Sequence, residues 1–81
     1  MKATITGGKW MHSKVSGGQI FQMYFKLEKG SAISYIDPQN GNYVRWENVI
    51  KKCMEGKNFN VDGVVMKSNK LVDADSYVKI L

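Results

Sequence analysis

Phe21, Met23, Phe25 and Leu27 recur at every second position, and this alternation constrains the fold more than any other feature of the chain. Side chains along a strand point to opposite faces in turn, so a period of two commits the segment to a strand with one face in a core. Its other face carries Gln22, Tyr24, Lys26 and Glu28 and meets water or a ligand. Later the period changes. Trp46, Val49, Ile50, Cys53 and Met54 stand at i, i+3, i+4, i+7 and i+8, which is one face of a helix. A chain with both patterns is α+β, and here the strand pattern dominates.

Lys2 to Ile5 alternate, Gly7-Gly8 interrupts, and Lys9-Trp10-Met11 resumes, which reads as one long bent strand over 2–15 or two short ones. Ser16-Gly17-Gly18 is turn chemistry, and Lys29-Gly30 turns the chain into a third strand over Ala32 to Ile36. In Asp37-Pro38-Gln39-Asn40-Gly41 the proline fixes φ and Asn-Gly readily takes positive φ, so a hairpin into a fourth strand, Tyr43-Val44-Arg45-Trp46, is expected. The helix is expected at about residues 47–55, with Glu47 at its positive end, Lys51 four residues beyond and Gly56 just past its C-terminus. Phe59, Val61, Gly63 and Val65 then alternate as a strand bent at the glycine. A tight hairpin at Asp62-Gly63 is the alternative, with flanking strands of only a few residues. Ser68-Asn69-Lys70 turns the chain, and Tyr77 to Leu81 forms the last strand.

With 81 residues the chain is expected to form one domain, 1–81, with a modest core. Net stability near this length is about 3–5 kcal/mol, so a homodimer would be one way to add to it. The expected fold class is mainly β (α+β): a small antiparallel barrel or strongly bent sheet of five to six strands with one short helix. The order of elements and the glycine-bent first strand resemble the OB-fold, a partly open barrel of five strands with its helix between strands three and four. The resemblance covers most of the chain and implies a ligand-binding face on the middle strands. An SH3-like barrel and an open antiparallel sheet capped by a helix are the alternatives.

Twelve Lys and Arg against seven Asp and Glu give a net charge of +5, a field that attracts polyanions. Eleven of these cations are lysines and only Arg45 is an arginine, which favours sequence-tolerant backbone contact over bidentate base reading. His12 and Cys53 are the only residues of their types, so a zinc site lacks ligands and no intrachain disulfide can form. Cys53 on the apolar stripe of the helix reads as a small core filler. Asp62, Asp73 and Asp75 have no calcium-loop pattern, and Gly7-Gly8 and Gly17-Gly18 lack the following helix that a phosphate cradle needs. The reading is therefore no enzyme, no cofactor and no metal. The absence of a secretory signal pattern and of an apolar run near the roughly 20 residues that span a bilayer points to a soluble, cytoplasmic protein without membrane partners.

What remains is a set of aromatic and basic residues interleaved on strands: Lys9 beside Trp10, Tyr24 with Lys26, and Tyr43 with Arg45. Single-strand-binding proteins combine aromatic stacking platforms with a positive groove, and these six residues supply both parts. The expected function is a small nucleic-acid-binding domain, sequence-tolerant and favouring single strands. Tyr24, Tyr43 and Trp10 would stack, and Lys9, Lys26 and Arg45 would contact phosphates. Aromatics also pack across strands, and lysines coat solvated faces, so each residue has an ordinary structural reading too. Lys51, Lys52, Lys57, Lys67 and Lys70 read as solvated charge. The alternative function is a protein-interaction module, an inhibitor or adaptor of a larger complex, that uses an exposed strand edge or the same aromatic patch.

Overall fold

Five strands and one helix make up the computed structural model, which describes residues 1–15 and 17–81. In chain order they are β1 (Ala3–His12), β2 (Gln19–Lys26), β3 (Ser31–Ile36), α1 (Tyr43–Cys53), β4 (Phe59–Ser68) and β5 (Leu71–Ile80). The sheet closes on itself in the order β1-β2-β3-β5-β4. Four seams are antiparallel, as the alternating sequence implies; the fifth, β3 with β5, is parallel and rests on the single register pair Ile33 with Leu71. There the Ile33 N–H donates to the Lys70 carbonyl at 2.8 Å. The helix lies between β3 and β4 in the chain, so the expected OB-like order stands. Among the described residues no helix is long and apolar enough to cross a membrane.

Alternation does what it should in β2: Phe21, Met23 and Phe25 are fully buried, while Leu27 lies just past the strand and packs against the core from its margin. The glycine interruption in β1 is a register irregularity between Ile5 and Gly7. Residues 13–15 leave the strand for a turn in which the Ser13 N–H donates to the Gly18 carbonyl at 2.7 Å. Ser16, first in the expected Ser16-Gly17-Gly18 turn, lies outside the described residues.

The expected fourth strand is not a strand. Tyr43 to Trp46 form the first turns of α1, which therefore runs Tyr43–Cys53 and not 47–55. Tyr43 stands three residues before Trp46 and continues the same helical stripe one turn upstream, where it packs against the core. The Asp37–Asn40 segment feeds the helix through successive turns: the Asn40 N–H donates to the Asp37 carbonyl at 2.9 Å and the Tyr43 N–H to the Asn40 carbonyl at 3.0 Å. Asn42 occupies the N-cap without a side-chain cap bond and instead donates from Nδ2 to Asp73 Oδ1 at 3.2 Å, tying the helix start to β5. Tertiary contact overrides the strand preference of Tyr-Val-Arg-Trp. Glu47 is consequently a turn away from the positive end and faces Lys51 at 4.0 Å across the exposed surface.

Trp46, Val49, Ile50 and Cys53 are buried as the stripe requires, but Met54 caps the helix and is exposed. The Trp46 ring meets Phe25 at 5.8 Å, which locks the helix onto the barrel floor, and its Nε1–H is buried without an acceptor among the described residues. Just past the helix Gly56 takes φ +81°, as expected of a residue there.

The long-strand reading of β4 holds, with a bulge at Gly63, whose φ of +95° only glycine adopts without strain. The extra residue shifts the phase, so Val61 and Val64 enter the core and Val65 does not. The last strand starts at Leu71, six residues earlier than expected, because Val72, Ala74 and Val78 face inward while Asp73 and Asp75 lie between them on the other side.

Candidate functional site

Burial of Phe21, Met23 and Phe25 forces Gln22, Tyr24 and Lys26 onto the outer face of β2. Register then decides their neighbours. On β1, Lys9 lies opposite Gln22, Gly7 opposite Tyr24 and Thr4 opposite Lys26. On β3, Tyr35 lies opposite Gln22 and Ile33 opposite Tyr24. One continuous outer face results, with Lys9, Tyr24, Tyr35 and Lys26 exposed upon it.

The polar tips on this face are joined. The Tyr24 hydroxyl donates to Gln22 Oε1 at 2.6 Å, and Gln22 Nε2 donates to the Tyr35 hydroxyl at 3.1 Å. Gln22 thus holds both phenol rings from one point and limits their rotamers. Across the strand, a Cβ built on Gly7 would sit 3.9 Å from Tyr24 Cδ2, an ordinary van der Waals contact, so the ring lies beside the β1 backbone there.

Two grooves open on this side of the sheet, and Tyr24 lines one of them. One is lined by Thr6, Tyr24, Ser31, Ile33 and Lys70, where the β4–β5 turn leans over β3. The other runs along the start of β1 and is lined by Lys2, Thr4, Thr6, Lys26, Asn58 and Asn60, with Glu28 also on its wall. The Thr4 hydroxyl donates to Asn60 Oδ1 at 2.7 Å, which leaves the Asn60 amide hydrogens available on that wall.

Charge is divided unevenly. Residues 1–27 hold four lysines and no carboxylate side chain, whereas residues 28–81 hold eight cations against seven acids. Three lysine ion pairs occur among the described residues, Lys51 with Glu47, Lys52 with Glu55 and Lys67 with Asp75, all on α1 and the β4–β5 hairpin. None involves Lys2, Lys9, Lys26 or Lys70, and Glu28 is the one acidic side chain that lines the two grooves.

Of the six residues singled out from the sequence, Lys9, Tyr24 and Lys26 come together on this face. Trp10 does not. It pairs with Phe21 on the inner side, ring centroids 5.2 Å apart at 73°, and is half-buried at the end of the barrel. Tyr43 and Arg45 stand on α1 and not on a strand, so they do not share a sheet face with Tyr24 and Lys26. Arg45 is engaged within the fold, donating from Nη1 to the Ala74 carbonyl of β5 at 2.7 Å. The residue that sequence reasoning missed is Tyr35. The signal was present in β3, where Ala32, Ser34 and Ile36 are inward and Ile33 and Tyr35 outward.

No group of three or more His, Cys, Asp or Glu suited to a metal ion occurs among the described residues. Burial pushes the Cys53 thiol above its ordinary pKa range, so it stays protonated. The fold and this face define a small α+β protein of OB-like order with an aromatic and basic outer sheet surface. Compared with protein-family models, curated proteins and solved structures, the chain matches none.

Proposed function

We propose that the outer face of β1, β2 and β3 binds single-stranded nucleic acid with little sequence preference. The observation that carries this reading is the convergence of Tyr24 and Tyr35, pinned through Gln22, with the unpaired Lys9 and Lys26 on three strands that contain no acid. Base stacking on aromatic platforms contributes about 1–3 kcal/mol per base and tolerates any sequence, because every base has a π-face. Lysines add point-charge contacts to phosphates. The one arginine, the side chain best shaped for bidentate base reading, is held against Ala74, which keeps with sequence tolerance. A rigid duplex hides its base faces in the stack, so single strands suit this surface better. The free thiol of Cys53 fits a reducing compartment such as the cytoplasm.

A protein partner is the competing occupant. The sheet is closed, so strand addition would be confined to the β3–β5 seam, which rests on one register pair. Anisotropy of a labelled oligothymidine, followed across a salt series, tests the proposal. The log of the association constant is expected to fall linearly with log salt, by about 0.7 per phosphate contacted. Tyr24→Ala and Tyr35→Ala should each weaken binding roughly 5- to 100-fold. Absence of binding at low salt, or equal affinity for duplex, would defeat the proposal.

A further inference from the structure

The two grooves share Thr6, which stands in the irregularity of β1 between Ile5 and Gly7. We infer that they form one lane crossing the strands, and that a bound single strand continues past the tyrosines onto the β1–β4 wall, with its phosphates on Lys26 and Lys2. This rests on the single-strand reading above and extends it to a path, a footprint and one further phosphate contact, Lys2.

The lane starts at Lys70, beside the seam where the Ile33 N–H meets the Lys70 carbonyl. It passes Ile33 on β3 and Tyr24 on β2, crosses β1 at Thr6, and continues between Lys26 and Lys2 to Asn60 on β4. From β3 to β4 it makes three inter-strand steps of about 4.8 Å each, roughly 14 Å before curvature. Tyr24 occupies only the first of these steps, β3 to β2, with Tyr35 beside the lane opposite Gln22, so a strand bound to them alone would leave the β1–β4 groove empty.

The second groove sets two lysines and four neutral polar side chains, which suit a sugar-phosphate backbone, beside an apolar edge of Ala3, Leu27 and Leu81. Lys2 and Lys26 are both exposed and in no ion pair among the described residues. Thr4, Thr6, Asn58 and Asn60 supply neutral hydrogen-bonding groups between them, and the Thr4 to Asn60 bond orients the Asn60 amide. The groove has no exposed aromatic on which a base could stack. Glu28 on its wall is the one acidic side chain there, and it would keep the strand toward the lysine side.

The test compares oligothymidines of 2 and 6 nucleotides on the wild-type protein, on Lys2→Gln, and on the control Lys51→Gln on α1. At about 3.4 Å per stacked nucleotide a 2-mer covers the tyrosine step and a 6-mer covers the lane. For Lys2→Gln the 6-mer is expected to bind at least threefold more weakly, with its salt slope reduced by about 0.7, one contact. The 2-mer should be unchanged, and the control should match wild type at both lengths. Equal losses for both lengths would place Lys2 at the tyrosine platform and overturn the lane while leaving the single-strand reading intact. No loss for the 6-mer would do the same. Failure of the 6-mer to bind wild-type protein would overturn lane and reading together.

Discussion

Tyr24 and Tyr35 lie on neighbouring strands and never touch through a direct hydrogen bond, yet both hydroxyls are bound to the one amide of Gln22, at 2.6 Å and 3.1 Å. This relationship makes the outer face a preorganised surface and not two independent side chains. Removing Gln22 releases both rings at once. Ordering a side chain on binding costs about 0.5–1.5 kcal/mol, about 1–3 kcal/mol for the two rings, so Gln22→Ala should weaken oligonucleotide binding roughly 5- to 150-fold. Its thermal stability should stay within about 0.5 kcal/mol of wild type, because the site is on the surface. Unchanged affinity would show that the amide does not order the rings.

Arg45 separates the structural account from the earlier expectation that it contacts phosphate. Its guanidinium is spent on the Ala74 carbonyl, a partly buried bond between the helix and β5. Arg45→Met keeps the aliphatic stem and should cost about 1–2 kcal/mol in denaturant unfolding. The salt slope of oligonucleotide binding should equal that of wild type. A slope reduced by a full contact would return Arg45 to the binding face.

The adjacent glycines of β1 should respond oppositely to alanine, since they face opposite sides of the sheet. A Cβ on Gly8 would lie 2.7 Å from Phe21 Cε2 and 2.9 Å from the Gln22 carbonyl oxygen, so ring and backbone would both have to move. Gly8→Ala is expected to cost about 1–3 kcal/mol. At Gly7 the nearest atom is Tyr24 Cδ2 at 3.9 Å, an ordinary contact, and Gly7→Ala should change stability by less than about 0.5 kcal/mol. Chemical denaturation of the two variants side by side decides it. Equal effects would mean that the register of β1 against β2 is wrong.

These comparisons show what the sequence could and could not convey. The outer position of Tyr24 and Lys26 was legible because Phe21, Met23 and Phe25 leave them no other side, and the bend at Gly63 was legible because glycine punctuates an otherwise regular strand. The start of α1 was not. Asn40-Gly41 followed by Tyr-Val-Arg-Trp is a good hairpin sequence locally, but the segment is a helix whose start is tied to β5 by Asn42 with Asp73 and Arg45 with Ala74 and packed on the core by Tyr43 and Trp46. Both β5 partners lie about 30 residues away, beyond any local pattern. Trp10 was misplaced for a related reason: the irregularity after Ile5 fixes which face each later residue of β1 occupies, and a glycine pair does not reveal where the extra residue falls. Tyr35 was overlooked because β3 is short and its inner face is the small and polar Ala32 and Ser34, which weakens the alternation.

Cys53 gives a pH-dependent prediction. Burial raises its thiol pKa in the folded protein, so the folded state holds the proton more tightly than the unfolded state. Its stabilising effect is complete below the unfolded pKa, near 8.5 for a free thiol, and is lost as pH rises through the folded value. Alkylation of native protein at pH 8 should therefore be slow and should become fast in denaturant, and Cys53→Ala should flatten the decline of stability above about pH 8.5. Rapid native labelling would contradict the buried placement.

On the proposed reading one particular face, not overall positive charge, holds the ligand. An amide and aromatic NMR titration with oligothymidine in about 150 mM salt, where diffuse charge attraction is screened beyond roughly 8 Å, separates the two. Perturbations are expected to concentrate on Lys9, Gln22, Tyr24, Lys26, Ile33, Tyr35 and Lys70 and to spare Lys51 and Lys52 on α1. Perturbations centred on α1 or scattered over all the lysines, with the Tyr24 and Tyr35 ring signals unmoved, would contradict it.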